Sequence, residues 1–275
     1  MQLANKVLHR CLVALALTAA SAYCTSANAE KTCDNPLYLT FDTGHMGIAP
    51  LVADVLNRQN VKVTFFAANE RTQTGDGSLG QHWAPWWKAR AAEGHEFASH
   101  TFDHVYWRAD LPGVAPAFRV KPTAGALQGQ TLTYDAQHYC AQLTQANERL
   151  QAMTGKKPLP LFRAPGGKTS PRLLAVAKAC GFEHVGWAAA GFLGDELSSE
   201  TFSNAALLKK ALRDIKSGDI LMAHLGIWSR QDPWAPTVLE PLITGLKDKG
   251  FCFATLREHP AYQAWVSAAH VPAIH

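Results

Sequence analysis

The sequence predicts an α/β fold, namely a distorted parallel (β/α) barrel of about seven strands in a single domain. Short apolar segments alternate with segments of helical periodicity, and this alternation over ~250 residues favours a barrel, although periodicity alone also allows an open sheet. The 275 residues are 47% hydrophobic and 17% charged. This composition excludes disordered, collagen-like and coiled-coil proteins.

Three strands are predicted in the first half of the chain. Leu37–Asp42 and Glu96–Ser99 are short apolar runs, and Val61–Ala67 is rich in β-branched and aromatic residues. Helical spacing of apolar residues predicts the connecting helices Ile48–Gln59 and Trp86–Ala92, the second ended by Gly94. The many Gly and Pro residues predict that segment 105–132 is a loop over one face.

Four more strands alternate with four helices in the second half. Thr133 is predicted to cap the first helix, Tyr134–Thr154, and Gly155 to end it. Apolar residues at helical spacing predict the other helices at Ser170–Cys180, Phe202–Lys216 and Thr237–Lys249. Short apolar runs predict the strands at Leu161–Arg163, His184–Ala189, Asp219–Leu225 and Phe251–Leu256.

Residues 1–29 are predicted to be a secretory signal peptide. They combine a basic start, the apolar run Cys11–Tyr23 and the small-residue cleavage site Ala27-Asn28-Ala29. This run is too short to cross a bilayer of ~30 Å, so we expect a secreted or periplasmic protein without stable membrane insertion. Residues 1–29 hold two basic residues and no acidic ones, so without them the formal net charge falls from +4 to +2. This charge does not indicate nucleic-acid binding.

Four cysteines remain after residue 29, at positions 33, 140, 180 and 252. In an oxidising compartment they allow three pairings. Cys33 and Cys252 adjoin the first and last strands, which are neighbours in a closed barrel, and Cys140 and Cys180 lie on successive helices. We therefore favour the pairs Cys33–Cys252 and Cys140–Cys180, with four buried free thiols as the alternative.

Polar residues follow several predicted strands, at the end where a parallel barrel carries its active site. They are Asp42, His100, Arg163, Asp195 and His224. His100 and His104 also have a spacing that suits metal ligands, although such a pair is a weak signal in a chain with 12 histidines.

Four motifs in chain order strengthen this interpretation. They are Thr40-Phe41-Asp42-Thr43-Gly44, His100-Thr101-Phe102-Asp103-His104, Phe162-Arg163-Ala164-Pro165-Gly166-Gly167 and Met222-Ala223-His224. The chain resembles the polysaccharide deacetylases with a NodB-type homology domain, carbohydrate esterase family four, over residues 35–258. It departs from the family at Thr43, where the family has an acid, and in the fourth motif, where Trp187 is followed by three alanines and the nearest acid is Asp195.

The resemblance implies that residues 30–275 form a catalytic domain that hydrolyses N-acetyl groups of amino-sugar glycans such as peptidoglycan or chitin-like oligosaccharides. It implies a divalent metal, zinc or cobalt, held by His100 and His104. The resemblance also implies that Asp42 is the base, oriented by Arg163, and that His224 is the acid. Asp195 would orient His224, and the Gly166 N–H would be the oxyanion donor. Aromatic residues next to the motifs are expected to bind the glycan, namely Tyr106, Trp107, Trp228 and Trp234.

Thr43 leaves the metal site open to several interpretations. A threonine hydroxyl is a weak zinc ligand, so the third ligand is water, His45 or Asp103, or else no metal binds. Two other functions therefore stay open, an O-acetyl ester hydrolase acting on polysaccharide and a catalytically impaired glycan-binding protein. We expect a monomer.

Overall fold

The computed structural model describes residues 33–269, so the predicted signal peptide lies outside the described residues. A parallel sheet of seven strands curls into an incomplete barrel with helices packed on it. The strands of the whole domain are β1 Pro36–Asp42, β2 Thr64–Ala67, β3 Glu96–Ser99, β4 Val105–Asp110, β5 Ala117–Pro122, β6 Leu132–Asp135, β7 Leu161–Phe162, β8 Glu183–His184, β9 Ile220–His224 and β10 Cys252–Phe253. The α-helices are α1 Ala49–Arg58, α2 Ala84–Ala92, α3 Ala136–Thr154, α4 Pro171–Ala179, α5 Asn204–Asp214, α6 Trp234–Asp248 and α7 Gln263–Ala268. Within residues 33–269 no helix is both long and apolar enough to cross a membrane.

Strand β1 pairs with three other strands of the sheet. The strand order is β10-β1-β2-β3-β7-β8, and β9 also pairs with β1, all in parallel. The first two residues of β1, Pro36 and Leu37, pair with β10, whereas the rest of β1 runs beside β9 as far as the pair Asp42 and His224. A single bridge between Phe192 and Met222 links the segment after β8 to β9. The predicted fold class is thus confirmed. Each of the seven strands overlaps a predicted strand, although β8 shares only His184 with the predicted strand His184–Ala189.

The alternation of side chains along β1 separates the core from the site. Leu37, Leu39 and Phe41 are fully or almost fully buried in the main apolar cluster, which includes side chains of α1 and α6. The intervening residues Thr40 and Asp42 point to the opposite side, because successive strand residues alternate in direction. Both are buried. An apolar face therefore anchors the strand while its other face presents polar groups inside the barrel.

The prediction of a loop over residues 105–132 is wrong. Strands β4, β5 and β6 form a three-stranded antiparallel sheet there. Val105, Phe118 and Val120 are completely buried beneath it, which supplies the apolar face that a sheet needs. The Gly and Pro residues lie in and around the turns between strands instead of marking one long loop.

This small sheet also moves the start of the next helix. Thr133 lies in β6, and the cap of α3 is Asp135, whose side chain accepts the His138 N–H. Asp is as good a cap as Thr, so the sequence offered two candidates two residues apart. The end of the helix at Gly155 agrees with the prediction, because Gly155 adopts a left-handed conformation with φ of 71°.

Both favoured disulfide pairs are present in the structure. Cys33 bonds to Cys252, 219 residues apart, and Cys140 bonds to Cys180, 40 residues apart. The first bridge fastens the start of β1 to β10, and the second links α3 to the end of α4.

Replacing both Cys33 and Cys252 with serine is expected to lower the free energy of unfolding by about 2–5 kcal/mol, because the long loop closed by this bridge restricts the unfolded chain. The shorter loop of Cys140–Cys180 predicts a smaller loss for the matched Cys140→Ser/Cys180→Ser variant. Guanidinium unfolding followed by tryptophan fluorescence measures both. Four free thiols in the native protein would contradict the prediction.

Candidate active site

Side chains from four strand ends meet at one end of the barrel. Asp42 ends β1 and His224 ends β9, and these residues are register partners in the sheet. His100 directly follows β3, and Arg163 directly follows β7. Most of these side chains face a cavity of about 110 Å³, which is lined by Asp42, Glu70, His100, His104, Tyr106, Gly166, Trp187, Glu196, Met222, His224 and Ile227.

Asp42 is held in its ionised form by Arg163. Asp42 is 3% exposed and Arg163 is fully buried, and Nη1 of Arg163 donates to Asp42 Oδ1 at 2.7 Å and to Thr40 Oγ1 at 2.9 Å. The other two nitrogens of Arg163, Nε and Nη2, donate hydrogen bonds to the carbonyl oxygens of Val185 and Gly186, at 3.3 and 3.2 Å. Burial alone would raise the pKa of Asp42, but the charges of Arg163, His100 and His224 and the hydrogen bond from Arg163 together outweigh it, and the net pKa lies below 3.8. Oδ1 is thus occupied by Arg163, while Oδ2 lies 3.5 Å from His100 Nε2.

His224 is paired with Asp195. The Nδ1 atom of His224 lies 3.1 Å from Asp195 Oδ1, and its backbone N–H donates to Asp195 Oδ2 at 2.7 Å. Burial acts to lower the pKa of His224, but the Asp195 carboxylate overrides it and raises the pKa to about 9. At neutral pH the ring is therefore a cation, oriented by Asp195, with Nε2 available as an acid. The structure thus places Asp195 against His224 despite its unusual spacing in the sequence.

His100 lines the cavity as a buried imidazole with one nitrogen engaged by the backbone. Its Nδ1 lies 2.9 Å from the carbonyl oxygen of Arg163, and since a carbonyl only accepts, Nδ1 carries the proton. The other nitrogen, Nε2, is then unprotonated and its lone pair is available to a metal ion. Burial lowers the pKa of His100 to about 4, which keeps the ring neutral at pH 7. His104 lies beside it, with 4.9 Å between ring centroids. Positive φ angles at Thr101 and His104 bend the backbone so that both rings reach the cavity.

The donor set fits a divalent ion by its chemistry. Neutral imidazole and carboxylate are the usual ligands of zinc, and both surround this cavity. Across residues 33–269, no three His, Cys, Asp or Glu side chains already converge closely enough to hold a metal ion. Neither alternative third ligand considered above lines this cavity. His45 Nδ1 accepts the Gly47 N–H at 2.9 Å, and Asp103 Oδ2 accepts from Gln142 Nε2 at 2.9 Å.

Sequence reasoning missed Glu70, which lies in this cavity beside Thr43. The Thr43 hydroxyl donates to Glu70 Oε2 at 2.6 Å, and Glu70 Oε1 lies 3.8 Å from His104 Nδ1. A signal was available, because Glu70 follows β2 by three residues and β2 is the neighbour of β1. A polar residue close behind a strand is a candidate for the same barrel mouth.

Gly166 brings bare backbone to the cavity wall. It has φ of 64°, a left-handed conformation, and a Cβ here would lie 2.5 Å from the Tyr106 ring. A side chain at this position would therefore be strained and would collide with Tyr106. The glycine therefore lets the Tyr106 ring pack directly against the backbone of the cavity wall.

The four aromatic residues expected to bind glycan occupy different environments. Tyr106 lines the cavity, and Trp228 is 59% exposed at an adjoining cavity of about 330 Å³. Trp107 donates from its indole nitrogen to Asp110 at 3.0 Å and does not line the 110 Å³ cavity. Trp234 is only 3% exposed and packs in the main apolar cluster, although it also lines the 330 Å³ cavity with Trp228. Helix α6 begins at Trp234 rather than at Thr237, which turns the ring into the core.

The family of the chain follows from sequence comparison. The sequence model described as polysaccharide deacetylase matches residues 29–185, more than half of the chain. The chain belongs to the polysaccharide deacetylase family. The matched residues include the first three motifs, whereas Asp195 and His224 lie beyond them.

Known members of the family are distant in sequence. A chitooligosaccharide deacetylase of Azorhizobium caulinodans is 24% identical over 230 residues, which cover 80% of this chain and 92% of the relative. A peptidoglycan-N-acetylglucosamine deacetylase of Bacillus cereus is 25% identical over 226 residues, or 82% and 88% of the two chains.

Solved structures support the same fold. One is a family 4 acetyl xylan esterase from Clostridium thermocellum in complex with a cobalt ion, with 20% identity and a TM-score of 0.61. The match covers 83% of this chain and 91% of the esterase chain. A CE4 family pseudoenzyme from Bacillus anthracis has 18% identity and a TM-score of 0.57, with coverage of 82% and 65%.

Proposed function

We propose that this polysaccharide deacetylase family member is an exported hydrolase that removes N-acetyl groups from amino-sugar glycans such as peptidoglycan or chitin-like oligosaccharides. The observation that carries the proposal is the pairing of opposite charges across one cavity. Asp42, kept anionic by Arg163, ends the strand next to His224, kept cationic by Asp195. A base and an acid that coexist at neutral pH are what amide hydrolysis by water requires.

Asp42 is the proposed general base. Its Oδ1 is occupied by Arg163, so Oδ2 is the atom that takes the proton from the attacking water. Because Arg163 holds the pKa of Asp42 below its usual range, the carboxylate is ionised throughout the neutral range. Arg163 also fixes the direction of the carboxylate through the contact of the same nitrogen with Thr40.

His224 is the proposed general acid. The amide nitrogen leaves readily only when it is protonated, and Nε2 of the His224 cation supplies that proton while Asp195 retains Nδ1. The N–H of Gly166 is proposed to stabilise the negative carbonyl oxygen of the tetrahedral intermediate.

His100 and His104 would hold a divalent ion, zinc or cobalt. When bound, such an ion polarises the acetyl carbonyl and lowers the pKa of water. Tyr106 and Trp228 are proposed to contact sugar rings, since aromatic faces suit their apolar surfaces. The expected secretion fits glycans of the cell wall or the extracellular space, and the structure's two disulfides suit an oxidising compartment.

The change at Thr43 also keeps a glycan-binding protein without catalysis as a second candidate. Thr43 itself offers only a neutral hydroxyl, which is bonded to Glu70. If metal binding is weaker for that reason, several kcal/mol of transition-state stabilisation would be lost. Hydrolysis of O-acetyl esters is the other alternative, since an alcohol leaves more easily than an amine.

Acetate release distinguishes these functions. We expect the protein to release acetate from N-acetylated chito-oligosaccharides or peptidoglycan, and His224→Ala to reduce the rate by about 10²–10⁴-fold because it removes the acid. The controls are acetylated xylan, which tests for ester hydrolysis, and His138→Ala, which removes an exposed histidine of α3 outside the 110 Å³ cavity. Glycan binding without acetate release, with and without added zinc or cobalt, would contradict the proposal and support the binding protein.

A further inference from the structure

Glu70 brings a carboxylate to the place where Thr43 lacks one. Thr43 follows β1 and Glu70 follows β2, and because these parallel strands are neighbours their ends lie side by side. Glu70 Oε2 accepts the Thr43 hydroxyl at 2.6 Å, and its Oε1 lies 3.8 Å from His104 Nδ1, a nitrogen that also contacts the Thr123 hydroxyl and leaves Nε2 of His104 for an ion. The side chain lines the same cavity as His100 and His104.

The Thr43 hydroxyl is fixed by its own partners. It accepts the Ala68 N–H at 3.0 Å, so its single proton is directed to Glu70. Thr43 is completely buried, which protects this arrangement from competition by water. The threonine therefore acts as an orienting group for the carboxylate.

The backbone of Glu70 is also held in place. Its N–H donates to the Ser78 hydroxyl at 2.8 Å, and its carbonyl accepts the Ser78 N–H at 2.9 Å. Ser78 is completely buried. Both ends of Glu70 are thus positioned by other groups, although its side chain keeps 20% exposure to the cavity and solvent.

We propose that Glu70 is the third protein ligand of a divalent ion bound by His100 and His104, and that Thr43 positions its carboxylate. This rests on the proposed metal-assisted function but concerns binding, which can be measured without substrate. Two imidazoles and one carboxylate are a common protein ligand set of catalytic zinc. Asp42 then remains free to act as a base, because it need not serve as a ligand.

The test is a zinc titration of the metal-free, full-length secreted protein against a competing chromophoric chelator, with cobalt absorption as a second readout. Wild-type protein is expected to bind a stoichiometric ion, and Glu70→Gln to bind it at least about tenfold more weakly. Glu196→Gln is the matched control, because it removes an equal charge from the same cavity on the side of His224. Its affinity is expected to stay close to the wild-type value.

The positioning role of Thr43 has its own variants. Thr43→Val removes the hydroxyl that holds Glu70 and is expected to weaken zinc binding, whereas Thr43→Ser is expected to restore it. Circular dichroism verifies that each variant is folded. Equal zinc affinity in wild type and Glu70→Gln, or no stoichiometric metal in the wild type, would overturn the proposal.

Failure of this inference and failure of the proposed hydrolysis give different results. Zinc binding that depends on Glu70, in a protein that releases no acetate, supports the ligand and counts against the hydrolase. Acetate release that is unchanged by chelation and by Glu70→Gln supports the hydrolase and overturns the ligand.

Discussion

Replacing Asp42 with asparagine is expected to lower kcat/KM for acetate release by about 10²–10⁴-fold, the usual contribution of a general base. The same change is expected to lower the free energy of unfolding by about 3–5 kcal/mol, because it leaves the buried Arg163 guanidinium without its counter-ion. The two effects share one cause. The salt bridge that keeps Asp42 ionised, as its proposed role as a base requires, also compensates for the burial of Arg163.

Steady-state acetate assays and guanidinium unfolding measure these two effects. Asp103→Asn is a suitable control, since Asp103 belongs to the second motif but contacts Gln142 rather than the cavity. An Asp42→Asn protein that is destabilised yet releases acetate at the wild-type rate would show that Asp42 has only a structural role.

Replacing Asp195 with asparagine is expected to move the alkaline limb of the pH–rate profile to lower pH. In the wild type, burial acts to lower the pKa of His224, but Asp195 raises it to about 9, so the acid is lost only as pH rises through that value. An amide cannot neutralise the imidazolium, so the limb in the variant shifts towards 6.5, the ordinary value for histidine. Activity at pH 8 is then expected to fall more than activity at pH 6.

The same pair contributes to stability with a defined sign. Because the folded-state pKa of His224 exceeds its unfolded value of 6.5, its stabilising effect is complete below pH 6.5 and is lost as pH rises through about 9. Glu196→Gln is the control for both measurements, since Glu196 lies 3.9 Å from His224 Nε2 and is far more exposed than Asp195. An unchanged alkaline limb in Asp195→Asn would exclude Asp195 as the group that sets the pKa of His224.

The sheet and the polar residues at its strand ends could be predicted because they are encoded locally. Leu37, Leu39 and Phe41 alternate with residues of the opposite face, and Asp42 follows at the end of the same strand. In a parallel barrel, the position of a residue at a strand end determines that it faces the common mouth. The positions of Asp42 and His224 at strand ends therefore predicted that both lie at the same end of the barrel.

The remaining features depend on contacts that local pattern does not encode. Strand β5 alternates between buried and exposed residues, but its short length and nearby glycines resemble a loop. Trp234 could be assigned to the rim or the core only by knowing where α6 begins. Glu70 lies outside every motif, and its proximity to Thr43 arises from the pairing of β1 with β2.

The pairing of β1 with three strands has a consequence for the order in which the chain acquires its structure. Among the strands of residues 33–269, β1 is the first to leave the ribosome, yet two of its three neighbours, β9 and β10, are the last two strands synthesised. The backbone groups of β1 on this side, and Cys33, therefore have no native partner until residues 220–253 have been synthesised. Contacts this distant in sequence slow folding and prolong exposure of unpaired strand edges. A nascent chain interrupted before β9 would contain Asp42 without His224. The proposed base and the proposed acid therefore come into contact range only when the barrel is nearly complete.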